Sequence, residues 1–189
     1  MSWLRTAVIA VVGSKRSGKT TTVETMVEEL SSRGYRIATV KHISEQNFTM
    51  DTKGKDTWRY AQAGAKTIIA IAPEEIAIIE KVNRSLSLKE VLRRCRGHDI
   101  IFLEGFKKLV SKKKGINKIV VVKSVEEALQ AVKDFKPILA FTGPCSTETL
   151  NVEPPYVDVL RCPKRIADIV ENSLKRDKRE RRTETYNNV

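Results

Sequence analysis

Cysteine is scarce: Cys95, Cys145 and Cys162 are the only three in 189 residues, and no two form a C-x-x-C pair. That argues against both a disulfide framework and a zinc site, and fits a reducing cytoplasm. Long apolar runs are also missing. The longest are Ile68 to Ala72 and Ile119 to Val122, far short of the roughly 18 residues that cross a bilayer, so no membrane association is expected. Near the start, the apolar patch from Ala7 to Val12 has no small-residue cleavage site after it, so a secretion signal is not expected either. There is no Gly/Ser-rich or Pro-rich linker and no internal repeat, so nothing marks a domain boundary before the tail. Aromatic residues are few, at 6%. Almost none lie among the basic residues, which weakens a nucleic-acid-binding reading based on stacked bases.

Basic charge, by contrast, is abundant, with 35 lysines and arginines against 23 acids for a net charge of +12. Half of that excess sits between Lys107 and Lys118, where six lysines (107, 108, 112, 113, 114 and 118) occur without one acid. Such a loop attracts phosphates, nucleic acid or an acidic partner, or is simply solvated. A second basic stretch, Lys175 to Val189, carries six basic and three acidic residues and has almost no apolar residue. The expected organisation is therefore one domain over residues 1–174 and a basic, mobile tail over residues 175–189.

Hydrophobic spacing alternates between strand and helix. Thr6 to Val12 is β-branched and ends in a glycine loop, and Thr20 to Arg33 then spaces Val23, Met26, Val27 and Leu30 as a helix before Gly34. Further strands are predicted at Arg36 to Lys41, Ile100 to Leu103, Ile119 to Val122 and Pro137 to Phe141. Helices are predicted at Leu86 to Cys95, Ser124 to Asp134 and Cys162 to Leu174. Ser124 with Glu127 three residues later has the form of a capping box. Lys66 to Ala72 and Glu75 to Lys81 read as an antiparallel hairpin, inserted in the sheet or extending it. The fold class is α/β, a doubly wound and mainly parallel sheet with that hairpin as an insertion.

Gly13-Ser14-Lys15-Arg16-Ser17-Gly18-Lys19-Thr20 matches G-x-x-x-x-G-K-S/T, with a strand before it and a helix after it. In that setting backbone N–H groups and the helix N-terminus cradle phosphate oxygens. Lys19 is expected at the β- and γ-phosphates, Thr20 on Mg²⁺, and Thr21 at a further phosphate contact. The metal needs an acid from a neighbouring strand, and Asp99 and Glu104 frame one. Ligands lie at the carboxyl ends of parallel strands, which selects Glu104. By the same rule Lys41 and His42 approach the phosphates, and His42 is a site candidate, though a packed histidine is as probable there. The loop holding Asp51, Lys53, Lys55, Asp56 and Arg59 around Gly54 is long and charged enough to suspect function. Asp56 and Arg59 are its candidate catalytic residues, and Asp51 a candidate binding residue. The competing reading of Asp56 is a cap on a short helix from Thr57 to Ala63 with Gly64 at C′.

These elements, together with Lys41-His42, Gly54-Lys55-Asp56, Ala63-Gly64-Ala65 and Leu103-Glu104-Gly105-Phe106-Lys107 in this order, resemble the MobB family of molybdopterin-guanine dinucleotide biosynthesis proteins. The likeness is close over residues 6–122. It departs from the family at Lys53, where proline is usual, and in the lysine-rich stretch after Lys107. The resemblance implies a P-loop protein of NTPase fold that binds GTP with Mg²⁺ and hydrolyses it weakly. It further implies a homodimer that assists conversion of molybdopterin to its guanine dinucleotide, with a separate nucleotidyltransferase, MobA, doing the chemistry. Two other readings share the phosphate loop, a small-molecule kinase and a nucleotide-switched nucleic-acid-binding module. Guanine preference is the least marked feature, because no N-K-x-D segment is present. The loop from Thr142 to Glu148 offers one acid, Glu148, to accept from guanine.

Overall fold

A computed structural model describes residues 6–144 and 153–186, with side chains as far as Arg176. In chain order the elements are β1 (Ala7–Gly13), α1 (Lys19–Ser32), β2 (Ile37–Lys41), α2 (Asp56–Gln62), β3 (Thr67–Ile71), β4 (Ile76–Glu80), α3 (Leu88–Arg94), β5 (Ile100–Glu104), α4 (Lys107–Val110), β6 (Asn117–Val121), α5 (Val125–Asp134), β7 (Ile138–Thr142) and α6 (Pro163–Tyr186). They fall into two compact units, Met1–His42 with Leu92–Val189, and Ile43–Val91. No shift in composition near residues 43 or 91 announces that division. Among the described residues no helix is long and apolar enough to cross a membrane.

The larger unit is a parallel five-stranded sheet in the order β2-β5-β1-β6-β7. β1 and β5 are apolar without alternation, and Ile9 to Val12 and Ile100 to Leu103 are all buried, because helices cover both faces of the sheet. On one face Val23, Met26 and Leu30 of α1 meet Ile166, Ala167 and Val170 of α6 over Ile9, Val11, Phe102 and Val121. Arg33 closes this contact, donating to Asp168 at 2.7 Å and to Glu171 at 3.1 Å, while the Tyr35 hydroxyl donates to Glu171 at 2.8 Å. α5 starts as its sequence predicts. Ser124 Oγ accepts from the Glu127 N–H, and Glu127 Oε2 reaches back to the Lys123 N–H at 2.8 Å.

The last helix and Lys118 differ from the sequence reading. The last helix does not fray at Leu174 but continues to Tyr186. Loss of apolar residues removes packing, not helix propensity, and Lys, Arg and Glu are good helix formers. Lys118 is not part of a solvated lysine loop. It is fully buried in β6, where its ammonium donates to the carbonyls of Lys113 at 2.7 Å and Lys136 at 2.6 Å. Burial pushes its pKa down to about 8, since neither partner is an anion. Folded protein thus releases this proton near pH 8, whereas an unfolded lysine holds it to about 10.4. Between those values the unfolded chain binds more protons, so stability rises with pH. Denaturant unfolding at pH 8 and pH 10 should show the natural chain gaining about 2 kcal/mol relative to Lys118→Met. Parallel pH curves for the two proteins would contradict this placement of the charge.

The smaller unit contains α2, β3 and β4. The hairpin neither joins nor extends the main sheet. β3 and β4 form an antiparallel two-stranded sheet of their own, with Ile69 opposite Ile78 and Ile71 opposite Ile76. Side chains alternate across a strand. One face therefore turns Ile68 inward at 6% exposure, while the other leaves Ile69, Ile71, Ile76 and Ile78 between 57% and 79% exposed.

Candidate functional site

The loop Gly13 to Gly18 joins the carboxyl end of β1 to α1. Gly13 has no room for a side chain, since a Cβ there would lie 2.4 Å from the Val121 carbonyl and 2.7 Å from Ser17 Oγ. Gly18 precedes the helix at φ +98°, a region open to glycine. α1 begins with no side-chain cap and no acid in its first turn, so its leading N–H groups keep their positive end free for an anion. Buried inside the loop, the Ser14 and Ser17 hydroxyl oxygens have no hydrogen-bond partner in the described structure. Lys19 arches back and donates to the Ser14 carbonyl at 2.6 Å. Its pKa is lowered, first by desolvation and then by the neighbouring ammoniums of Lys41 and Lys123, against the opposing pull of Glu104 and Glu127. An ammonium held among like charges beside a cradle of N–H donors has the chemistry to receive an anion. Lys15, Arg16 and Thr21 stand exposed at the loop and the first turn of α1.

Glu104 ends β5 in register with Val11 of β1 on one side and Lys41 of β2 on the other. That register sets its carboxylate beside the start of α1, where Thr20 Oγ1 donates to Glu104 Oε1 at 3.1 Å. Asp99, at the opposite end of the strand, is held by the backbone N–H and guanidinium of Arg36. Neighbouring oxygens in an octahedral magnesium shell stand about 2.9 Å apart, which follows from Mg–O distances of about 2.0 to 2.1 Å. Thr20 and Glu104 therefore suit two adjacent positions of such a shell. Among the described residues no group of three or more His, Cys, Asp or Glu forms a complete metal site. The remaining ligands would have to be phosphate oxygens and water.

His42 follows the carboxyl end of β2, where the strand-edge rule puts it, and is exposed. Its ring meets Phe106 edge-on, with centroids 5.4 Å apart, and its backbone N–H donates to the Glu104 carbonyl at 2.9 Å. Gly105, at φ +86°, turns so closely against His42 that a Cβ would lie 3.2 Å from its carbonyl. His42 thus shapes the turn after Glu104. Lys41 beside it, which the strand-edge rule brings towards the phosphates, reaches the centre, with Nζ 3.2 Å from Glu104 Oε1 and 3.3 Å from Thr20 Oγ1. Lys123, which the sequence reading does not single out, donates to the Lys15 carbonyl at 3.4 Å. The rule that selected Glu104 and Lys41 also reaches Lys123, which follows a parallel strand at its carboxyl edge. A cavity of about 130 Å³ opens beside the loop, between Ser14, the end of β6 and Phe135.

The remaining candidates belong to the smaller unit. Asp56 opens α2 as its first residue with Lys55 at the N-cap, and no side-chain cap bond is made. The predicted cap is therefore displaced by one residue. Gly64 does stand at C′, with φ +110° and the 5→2 and 6→1 bonds of a Schellman turn. Asp56 and Arg59 are exposed and lie 3.5 Å apart. Asp51 Oδ1 accepts from the Thr52 N–H at 2.8 Å and from the Thr57 hydroxyl at 2.9 Å, so it ties the loop to α2. Glu148, considered for guanine, lies outside the described residues.

Comparison with known proteins gives a consistent result. The family described as MobB, molybdopterin guanine dinucleotide synthesis protein B, matches residues 8–143. A molybdopterin-guanine dinucleotide biosynthesis adapter protein of Haemophilus influenzae is 30% identical over 169 residues, 88% of this chain and 88% of that one. A crystal structure of molybdopterin-guanine biosynthesis protein B aligns with a TM-score of 0.64 at 27% identity, covering 89% of this chain and 99% of the other. A MobB homolog from Bacillus stearothermophilus shares the fold at a TM-score of 0.63 and 22% identity, over 89% of this chain and 97% of its own.

Proposed function

This chain belongs to the MobB family, and from that premise we propose that it binds GTP with Mg²⁺ and acts as an adapter in formation of the molybdopterin guanine dinucleotide. The observation that carries the nucleotide part is the juxtaposition of the N–H cradle at Gly13 to Thr20 with the Thr20 and Glu104 oxygens 3.1 Å apart. Bound Mg²⁺ would neutralise phosphate charge. Thr20 and Glu104 would hold it, while Lys19 and the start of α1 hold the phosphates. The helper role follows from the name of the Haemophilus influenzae relative. It suits a chain in which the described site offers phosphate positioning and no evident acceptor base. The partner in this reading is the nucleotidyltransferase MobA or its molybdopterin substrate, and the working compartment is the cytoplasm. Adding the protein with GTP to such a nucleotidyltransferase and molybdopterin should raise the yield of dinucleotide. No increase over the transferase alone would refute the adapter role. A kinase, by contrast, would release GDP only when an acceptor is supplied.

The lysines that remain exposed after Lys118 is taken away (107, 108, 112, 113 and 114) supply a surface for an acidic partner, acting mainly on its association rate. The homodimer is proposed to form across the exposed isoleucine face of β3 and β4. Large apolar patches on a monomer mark interfaces, and a two-fold axis pairs one such patch with its copy. Replacing Ile71 and Ile76 with lysine, both on the solvent side of the hairpin, should convert a dimer to a monomer in sedimentation at micromolar concentration. A dimer that survives this change would place the interface elsewhere.

A further inference from the structure

Lys41 has no role in the reading above, yet it sits where the metal would. Its ammonium is 3.2 Å from Glu104 Oε1 and 3.3 Å from Thr20 Oγ1, the same two oxygens assigned to Mg²⁺. Such an ammonium competes with a divalent cation for these oxygens, since both carry positive charge. Lys41 is also anchored. Its backbone is in register with Glu104 across the β2–β5 ladder, so its charge cannot leave the carboxyl edge even when its side chain swings aside.

We propose that Lys41 is the resident cation of the magnesium position: it pairs with Glu104 and Thr20 in the nucleotide-free protein, keeps free metal out, and yields when metal arrives with a nucleotide. This rests on the nucleotide-binding reading of the same site. Two observations support it. Glu104 has 13% of its side chain exposed, so an unpaired carboxylate there would carry a desolvation cost that Lys41 offsets. The Thr20 hydroxyl donates to Glu104 and accepts from Lys41, which holds its oxygen in place before any metal is present.

Two consequences separate this role from a merely structural one. In the nucleotide-free protein, removal of the charge should uncover Glu104 and Thr20 to metal. With nucleotide but no metal, Lys41 should substitute for the metal's charge, so that its loss weakens binding only when metal is absent. The test uses the full chain as the natural protein, Lys41→Gln and Lys41→Arg, with Mn²⁺ as a paramagnetic probe and GDP as the nucleotide. By electron paramagnetic resonance, Mn²⁺ should bind nucleotide-free Lys41→Gln at least about tenfold more tightly than the natural protein. Calorimetric GDP affinities, measured with Mg²⁺ and with EDTA, should differ by a ratio about tenfold wider in Lys41→Gln than in the natural protein. Lys41→Arg, which keeps the charge, should resemble the natural protein in both measurements. Equal Mn²⁺ affinity in all three, or a GDP affinity that falls equally with and without Mg²⁺, would overturn the assignment while leaving nucleotide binding intact. If the natural protein binds no GDP under either condition, both this inference and the nucleotide reading fail together.

Discussion

Lys19→Ala should bind GTP–Mg²⁺ at least about a hundredfold more weakly than the natural protein, with its fold intact. The side chain lies over the loop it closes, giving one bond to the Ser14 carbonyl at 2.6 Å. Little else depends on it structurally. On binding, that internal bond is exchanged for charge-assisted bonds to phosphate oxygens, each worth roughly 1.5 to 3 kcal/mol. Two such bonds, to the β- and γ-phosphates, account for the expected loss. Desolvation and the neighbouring ammoniums, which lower the Lys19 pKa, are offset when phosphate supplies negative charge. The charged form is then favoured, and binding should take up a fraction of a proton at alkaline pH. Calorimetry in two buffers of different ionisation enthalpy, at pH 9, measures both effects. An unchanged affinity in a folded Lys19→Ala variant would remove the loop from the mechanism.

Glu104→Gln should reduce the Mg²⁺ dependence of nucleotide binding at least about tenfold, and Asp99→Asn should not. The two acids flank the same four buried residues of β5, but they face different chemistry. Glu104 is 3.1 Å from the Thr20 hydroxyl, whereas Asp99 is occupied by the Arg36 guanidinium and N–H at 3.0 to 3.2 Å. Gln keeps the size and one oxygen of Glu104 but not the charge that a hard divalent cation requires. Asp99→Asn should instead loosen the junction with β2, a change visible as a small loss of stability because Arg36 is exposed. The Mg²⁺ concentration giving half-maximal GTP binding distinguishes the two. Equal shifts for the variants would contradict the sheet-edge argument that placed the metal.

Much of this geometry was legible because the relevant signals are contiguous. A β-branched run, a glycine-bounded loop and a helix follow one another from Ala7 to Ser32, so local physics dictates the cradle. Glu104 needed one further rule, that ligands gather at the carboxyl ends of parallel strands. The rest required long-range information. Whether Lys41 or His42 turns toward Thr20 depends on the register of β2 against β5 and on Phe106, which draws the His42 ring away. Lys118 looked like one more surface lysine, because only the fold brings the Lys113 and Lys136 carbonyls to its ammonium. The hairpin was recognised from its two apolar runs, but its separation from the main sheet is a matter of pairing that alternation cannot encode. Helix α6 outran its apolar stripe because propensity, which the stripe does not report, carries the backbone to Tyr186.

Titration of the natural protein with GTP and with ATP, each with Mg²⁺, tests the central claim most directly. The account predicts saturable, Mg²⁺-dependent binding of GTP, about ten- to a hundredfold tighter than ATP, a difference of roughly 1.4 to 2.8 kcal/mol. Absence of GTP binding, or ATP bound as tightly as GTP, would contradict it.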